Sequence, residues 1–204
     1  MNKSDITVNN LREACARLGY AFFERGEYNL NIIGIRSEDR NSNAFNDVLA
    51  VAFRQSGRWV LLTFDYTTDP GLHYRHNPAN PAGTAVLVPG QYRGAFMLGL
   101  HQGKYGALTQ AKALPVYRDN DLDSEVDVQG TIDYGWHGIN IHRANEQRKS
   151  AQVNEWSAGC QVVADPHEFD ALYSFSEVAQ GLYGKRFTYT LLEEKDFVSE
   201  RSSG

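Results

Sequence analysis

The residues best equipped for chemistry fall in one stretch. It runs Tyr134-Gly-Trp-His-Gly-Ile-Asn-Ile-His142-Arg-Ala, continues through a polar excursion, and ends Trp156-Ser-Ala-Gly-Cys160-Gln-Val-Val. A cysteine directly after a turn of small residues suits a nucleophile. Gly159 lets the backbone turn tightly and lets a substrate carbonyl come close. The amides of Gly159 and Cys160 can then face a developing oxyanion, the usual source of stabilisation in acyl transfer. A thiol with an ordinary pKa of about 8.5 is mostly protonated at neutral pH, so it needs a base or a positive charge beside it. His142 is the candidate base, provided that its segment lies next to the one Cys160 opens.

That condition defines what the surrounding elements must do. An extended segment from Gly138 to His142 turns Gly138, Asn140 and His142 to one side and His137, Ile139 and Ile141 to the other. Glu146 to Gln152 are polar and charged, a solvated loop, and Gln161 to Val163 return as a short apolar strand. Other strands are expected at Leu30 to Arg36, Asp47 to Phe53, Trp59 to Tyr66, Ala85 to Val88, Ala95 to Leu100, Pro115 to Arg118 and Phe187 to Leu192. An early helix is expected where Leu11, Cys15 and Leu18 share a face, with Asn10 as its cap and Gly19 as its stop. A late helix starts at Asp165-Pro166-His167-Glu168, with Asp165 capping, Pro166 in the first turn and Glu168 closing a capping box. It carries Phe169, Leu172 and Tyr173 on its apolar face and ends near Gly181 or Gly184. The fold class expected is therefore α+β and β-rich, with one early and one late helix.

The order of the two reactive residues is informative, because the His precedes the Cys. Fourteen residues separate His142 from Ser157, and Ser157-x-Gly-Cys160 closes the pattern. This resembles the L,D-transpeptidase (YkuD-like) family, whose signature is a His, a spacer of about this length, and then Ser/Thr-His-Gly-Cys. The likeness is specific over residues 135–163 and only architectural elsewhere. It implies an L,D-transpeptidase-like β-sandwich or barrel, no cofactor and no metal, and a cysteine that attacks a peptide carbonyl of the peptidoglycan stem. By that likeness Cys160 is the nucleophile, His142 the base, and the backbone carbonyl of Arg143 the group that orients the imidazole. Two positions depart from the pattern. Ala158 stands where the family has His, and Val162 where it usually has Arg or Asn. The second change removes a partner for a substrate carboxylate, for which Arg143 or Gln161 are the replacements at hand. Cross-linking, exchange, carboxypeptidase trimming and endopeptidase cleavage share the acyl-enzyme step and differ in the acceptor that resolves it. The arrangement also resembles variants encoded by phages and prophages, which implies a lytic or wall-remodelling role.

Candidates for substrate contact are His101, Asn140, Tyr134 and Gln161, and Ser157 is a candidate for supporting the turn or the site. His101 has a structural reading of equal weight. Thr67 and Thr68 read first as part of a turn around Asp-Pro-Gly71. Tyr92, Phe96, Tyr134 and Trp136 read mainly as core, with one or two walling a cleft. Arg118-Asp-Asn-Asp121 has a loose likeness to a calcium loop, but the later Gly and Glu are missing and a solvated turn is the better reading. Two other functions stay open. One is a metal-dependent peptidase or amidase using His137, His142, His101 and Asp133, although no His-Glu-x-x-His helix exists. The other is a non-catalytic wall-binding or virion structural module.

Bulk properties narrow the field further. The 204 residues are 42% hydrophobic and 12% aromatic, which fits one domain over residues 1–204 with its motif core at 135–163. Residues 1–50 carry no chemistry and read as an N-terminal elaboration. A net charge of −5 argues against a broad nucleic-acid surface. No run reaches the roughly 18–20 apolar residues that span a bilayer. The polar start Met1-Asn2-Lys3-Ser4-Asp5 implies synthesis in the cytoplasm without a signal peptide, so action at the bacterial wall requires release or delivery. The two cysteines are expected as free thiols, with Cys15 in the core.

Overall fold

The computed structural model describes residues 2–40 and 43–197 and is α+β with strands dominating. In chain order its elements are α1 (Val8–Arg17), β1 (Asn31–Arg36), β2 (Asp47–Gln55), β3 (Arg58–Thr67), α2 (Leu72–His76), β4 (Thr84–Leu87) and β5 (Gly90–His101). There follow β6 (Tyr105–Gln110), β7 (Leu114–Asp119), β8 (Asp133–Gly135), β9 (Ile141–Arg143), β10 (Gln161–Val163), α3 (Pro166–Tyr183) and β11 (Phe187–Glu193). Eight strands close into a barrel in the order β1-β11-β5-β6-β9-β10-β3-β2. The strands β4, β7 and β8 form a separate sheet, with β7 in the middle. Closure removes the exposed edges that an open sheet of this size must protect.

Local sequence explains several joints. Gln55 pairs with Arg58, so β2 and β3 are joined by Ser56-Gly57, both at positive φ (52° and 74°). That is the two-residue hairpin whose twist matches its strands. Thr7 caps α1 by accepting from the Asn10 amide, and the Asn10 side chain accepts from the Thr7 amide, a reciprocal capping box. Asn10 thus lies inside the helix, and the cap is three residues earlier than expected. Asp165 caps α3 by accepting from the His167 amide. Glu168 does not close a capping box there: its Oε2 is buried without a hydrogen-bond partner.

Alternation along β1 and β2 sorts two cores. Ile32, Leu49, Val51 and Phe53 join Tyr66, Phe96, Leu108, Tyr189 and the buried face of α3. Ile33, Ile35, Val48 and Ala50 face the other way and pack with Leu11, Ala14 and Cys15 of α1. Cys15 is fully buried with a free thiol, as core. Within residues 1–50 lie β1 and the first part of β2, and β1 pairs in parallel with β11 and antiparallel with β2 as a member of the barrel.

Other departures bear on the site. The expected strand from Gly138 to His142 is only Ile141–Arg143, because Gly138 sits at φ 72°, outside the extended region. Sequence reading did not foresee β6, β8 or α2. Thr67 and Thr68 are buried, and Thr68 donates through its amide and its hydroxyl to Asp47 at 2.6 and 2.8 Å, so neither faces a substrate. Among the described residues no helix is long and apolar enough to cross a membrane.

Candidate active site

Two short parallel strands set the geometry. β9 and β10 pair with Gln161 opposite Ile141, Val162 opposite His142 and Val163 opposite Arg143. Strand alternation gives Cys160 the same face as Val162, which lies opposite His142. The Cys160 sulfur and one nitrogen each from His142 and His101 lie within 4.8 Å of one another.

The partners of His142 assign its tautomer. Its Nδ1 lies 2.7 Å from the Arg143 carbonyl oxygen, which can only accept, so Nδ1 carries the proton. The Tyr105 oxygen lies 3.0 Å from the same Nδ1, and the Tyr105 hydroxyl donates to the Arg143 carbonyl at 3.3 Å. Nε2 is left as a lone pair, buried and without a hydrogen-bond partner among the described residues. With Nδ1 committed, Nε2 is the nitrogen available to the thiol. The thiol itself donates to the Gly138 carbonyl at 3.4 Å.

His101 and Tyr105 reach His142 from one hairpin. They pair with each other across the three-residue loop joining β5 and β6, with Gln102 and Gly103 at positive φ. The guanidinium of Arg143 lies over the Tyr105 ring, its central carbon 4.2 Å from the ring centroid. Asn140 accepts from the Gln110 amide at 2.9 Å through Oδ1, so its NH₂ faces His101 Nδ1 at 3.1 Å. That makes His101 Nδ1 an acceptor and puts its proton on Nε2. Asn140 is thereby a bracket between β6 and His101, with both ends of its amide occupied.

The turn before Cys160 is held by Ser157. Its hydroxyl donates to the Cys160 carbonyl at 2.8 Å and accepts from the Gly159 amide at 3.1 Å, and the residue is wholly buried. This engagement takes the Gly159 amide out of the oxyanion role expected of it. The Cys160 amide has no hydrogen-bond acceptor among the described residues and is the remaining donor at that position. Gln161 also departs from expectation. It is buried, with Nε2 donating to the Thr68 carbonyl at 3.2 Å and Oε1 accepting from the Tyr189 hydroxyl at 2.8 Å, so it ties the turn to the barrel interior.

Electrostatics hold the pair neutral at rest. Burial pushes the Cys160 thiol up to about 11, against a backbone amide of Asn140 that favours the thiolate. Burial also presses His142 down to about 3, with His101 and the Arg143 charge acting the same way and the Arg143 carbonyl opposing. His101 is lowered by burial and by Lys104. A neutral thiol beside a neutral imidazole can pass its proton as bond formation begins, which is general-base rather than ion-pair activation.

A groove of about 280 Å³ runs beside the turn, bounded by Ala158, Trp136, His137, Arg118, Thr84 and Asn80. Cys160, two residues beyond Ala158, is partly exposed. A wider hollow of about 570 Å³ lies against Trp156, His73 and His76 and gathers no nucleophile–base pair. Tyr134 is 70% exposed on β8 and bounds neither space. Trp136, equally exposed, does bound the groove, whereas Tyr92 and Phe96 are core or partly buried against it. The metal set drawn from sequence is not assembled either. His137 and Asp133 both contact Arg118, at 3.1 and 2.7 Å, while His101 and His142 gather around Cys160.

Tyr105 is the site residue that sequence reading missed. Its signal was present in His101-Gln-Gly-Lys-Tyr105, a glycine turn between two apolar runs that reads as a hairpin. No family model matches this chain, and neither a curated protein nor a solved structure matches it.

Proposed function

We propose that the protein is a cysteine acyltransferase or peptidase of the L,D-transpeptidase type, with the corresponding barrel fold, acting on peptidoglycan stem peptides. One observation carries the reading. A neutral imidazole has its Nδ1 proton fixed on the Arg143 carbonyl and its Nε2 bare, with a ring nitrogen within 4.8 Å of the sulfur of Cys160, a partly exposed residue beside a groove.

In this reading His142 Nε2 takes the Cys160 proton as sulfur attacks the stem-peptide carbonyl. The oxyanion is met by the Cys160 amide. Collapse expels an amine that takes the proton back from His142, leaving a thioester on Cys160. An amine acceptor then gives a new amide, or water gives a free acid, and either regenerates the thiol. Arg118, on the groove, is the cation placed to meet a stem carboxylate. Its partner Asp133, at 2.7 Å, is a half-exposed carboxylate that a substrate carboxylate would compete with.

The test is digestion of isolated sacculi read by mass spectrometry. Wild type should change the muropeptide profile, and Cys160→Ala and His142→Ala should each abolish the change while remaining folded. Because the two groups act as a unit, the double variant should be little worse than either single one. Unchanged muropeptides with wild type would overturn the proposal.

A second reading is favoured by the same cluster. Two imidazoles and a thiolate are a known ligand set for zinc with an open fourth position, as in metal-assisted hydrolysis. Loss of activity with a chelator but not with a thiol-alkylating reagent applied to the metal-loaded protein would select it.

A further inference from the structure

At the far end of β7 the chain turns into Asp119-Asn-Asp-Leu-Asp-Ser-Glu-Val-Asp127, with acidic residues at 119, 121, 123, 125 and 127. Its first part, Arg118-Asp-Asn-Asp121, reads from sequence as a solvated turn. The structure contradicts that at Asp119, which has no exposed surface. The Asp127 amide lies near enough to favour its charged form, yet neither carboxylate oxygen of Asp119 has a geometrically formed hydrogen bond among the described residues. Burying a carboxylate with nothing bound to its oxygens is costly, and folded proteins rarely tolerate it without a counter-charge or a ligand. One oxygen from each of Asp119, Asp121 and Asp127 lies within 4.8 Å of the other two. Burial and the charges of Asp127 and Asp121 push Asp119 up to about 7, the expected consequence of three carboxylates converging.

We propose that Asp119, Asp121 and Asp127 form a binding site for a hard divalent cation, calcium in preference to magnesium. An all-carboxylate donor set excludes soft metals as the natural occupants. Calcium accepts irregular arrangements of six to eight oxygens, including water and main-chain carbonyls, whereas magnesium demands a near-ideal octahedron. Two donors here come from an irregular loop, and Asp121 is exposed and Asp127 half-exposed, leaving room for water ligands. Arg75 stands nearby, donating to the Ser124 carbonyl at 2.6 Å and acting electrostatically on Asp119 and Asp123. It offsets part of the negative charge, so affinity should resemble that of extracellular calcium modules, with Kd about 10⁻⁴–10⁻³ M. A bound ion would join the last residue of β7 to a point eight residues along the connection to β8, which leads to groove residues Trp136 and His137. The site is separate from Cys160 and does not depend on the function proposed above.

The experiment is calorimetric titration of the full chain, stripped with chelator, with calcium chloride and in parallel with magnesium chloride. One saturable calcium site is expected, weakened at least tenfold in both Asp121→Asn and Asp127→Asn and unchanged in Cys160→Ala. Thermal melts should show calcium raising the wild-type Tm and failing to raise that of Asp121→Asn. No saturable binding up to about 10 mM, ten times the weakest constant expected for such sites, would overturn the proposal. Binding that survives both Asp substitutions, or that disappears in Cys160→Ala, would overturn it equally, the latter by moving the metal to the thiol.

Discussion

The ring of His101 lies flat against that of His142, with centroids 3.9 Å apart and planes 25° from parallel. Two stacked imidazoles cannot both accept a proton without strong mutual repulsion. His101 therefore helps to keep His142 in the neutral form that a general base requires.

Cys160 should react as an ordinary or slow thiol at neutral pH, not as a preformed thiolate. With the thiol pushed up to about 11, the rate of alkylation by iodoacetamide should climb about tenfold per pH unit from pH 7 to 9. Mass spectrometry of the Cys160 peptide over time measures this. A rate already flat by pH 7 would indicate a thiolate–imidazolium pair instead.

His142 should make the fold acid-sensitive. Unfolded, it takes up a proton near 6.5, and folded only near 3, so between those values the unfolded state holds the extra proton. Stability contributed by the neutral ring is complete above about pH 6.5 and is lost as pH falls toward 3. The loss is on the order of 5 kcal/mol over that window. In urea melts from pH 4 to 7, His142→Gln should show a visibly shallower slope than wild type. Equal slopes would mean that the imidazole gains protonation in the folded state as readily as in the unfolded one.

Tyr105→Phe removes one of two groups that hold Nδ1 and the Arg143 carbonyl in line. The fold should lose about 1 kcal/mol, a typical figure for one hydrogen bond. Turnover on stem peptide should fall about tenfold with KM little changed, because the loss is in orientation of the base. Equal kcat in Tyr105→Phe and wild type would leave the Arg143 carbonyl as sufficient on its own.

The two glycines flanking the reactive pair should answer differently to alanine. Gly138 sits at φ 72° over open space, so Gly138→Ala should cost only about 1–2 kcal/mol of backbone strain. Gly159 sits at φ 112°, and an added Cβ there would drive into the Ala85 carbonyl of β4. Backbone cannot yield as a side chain can, so Gly159→Ala should cost upwards of about 3 kcal/mol and displace the turn that carries Cys160. Urea midpoints of the two variants make the comparison. A mild Gly159→Ala would mean that β4 moves freely against the turn.

Local chemistry alone identified much of this protein. Asp165-Pro166 announced the start of α3 because a cap and a first-turn proline act within a few residues of themselves. The runs that became β2, β3 and β11 were legible for the same reason, since β-branched and aromatic residues bounded by turn formers are a short-range signal. Cys160 and His142 stood out as candidates for a nucleophile and a base because residue type, order and spacing are properties of the chain itself. Their separation in space is not such a property. It follows from β9 pairing in parallel with β10, contacts between residues twenty positions apart that no local preference specifies. Tertiary packing likewise decided that Gln161 turns inward to Tyr189, that Ser157 claims the Gly159 amide, and that the His101 ring stacks on His142. It also placed Asp119 out of reach of water, where a string of acidic residues had suggested a solvated turn. Burial is set by what covers a residue, and what covers it here is chain from elsewhere in the sequence.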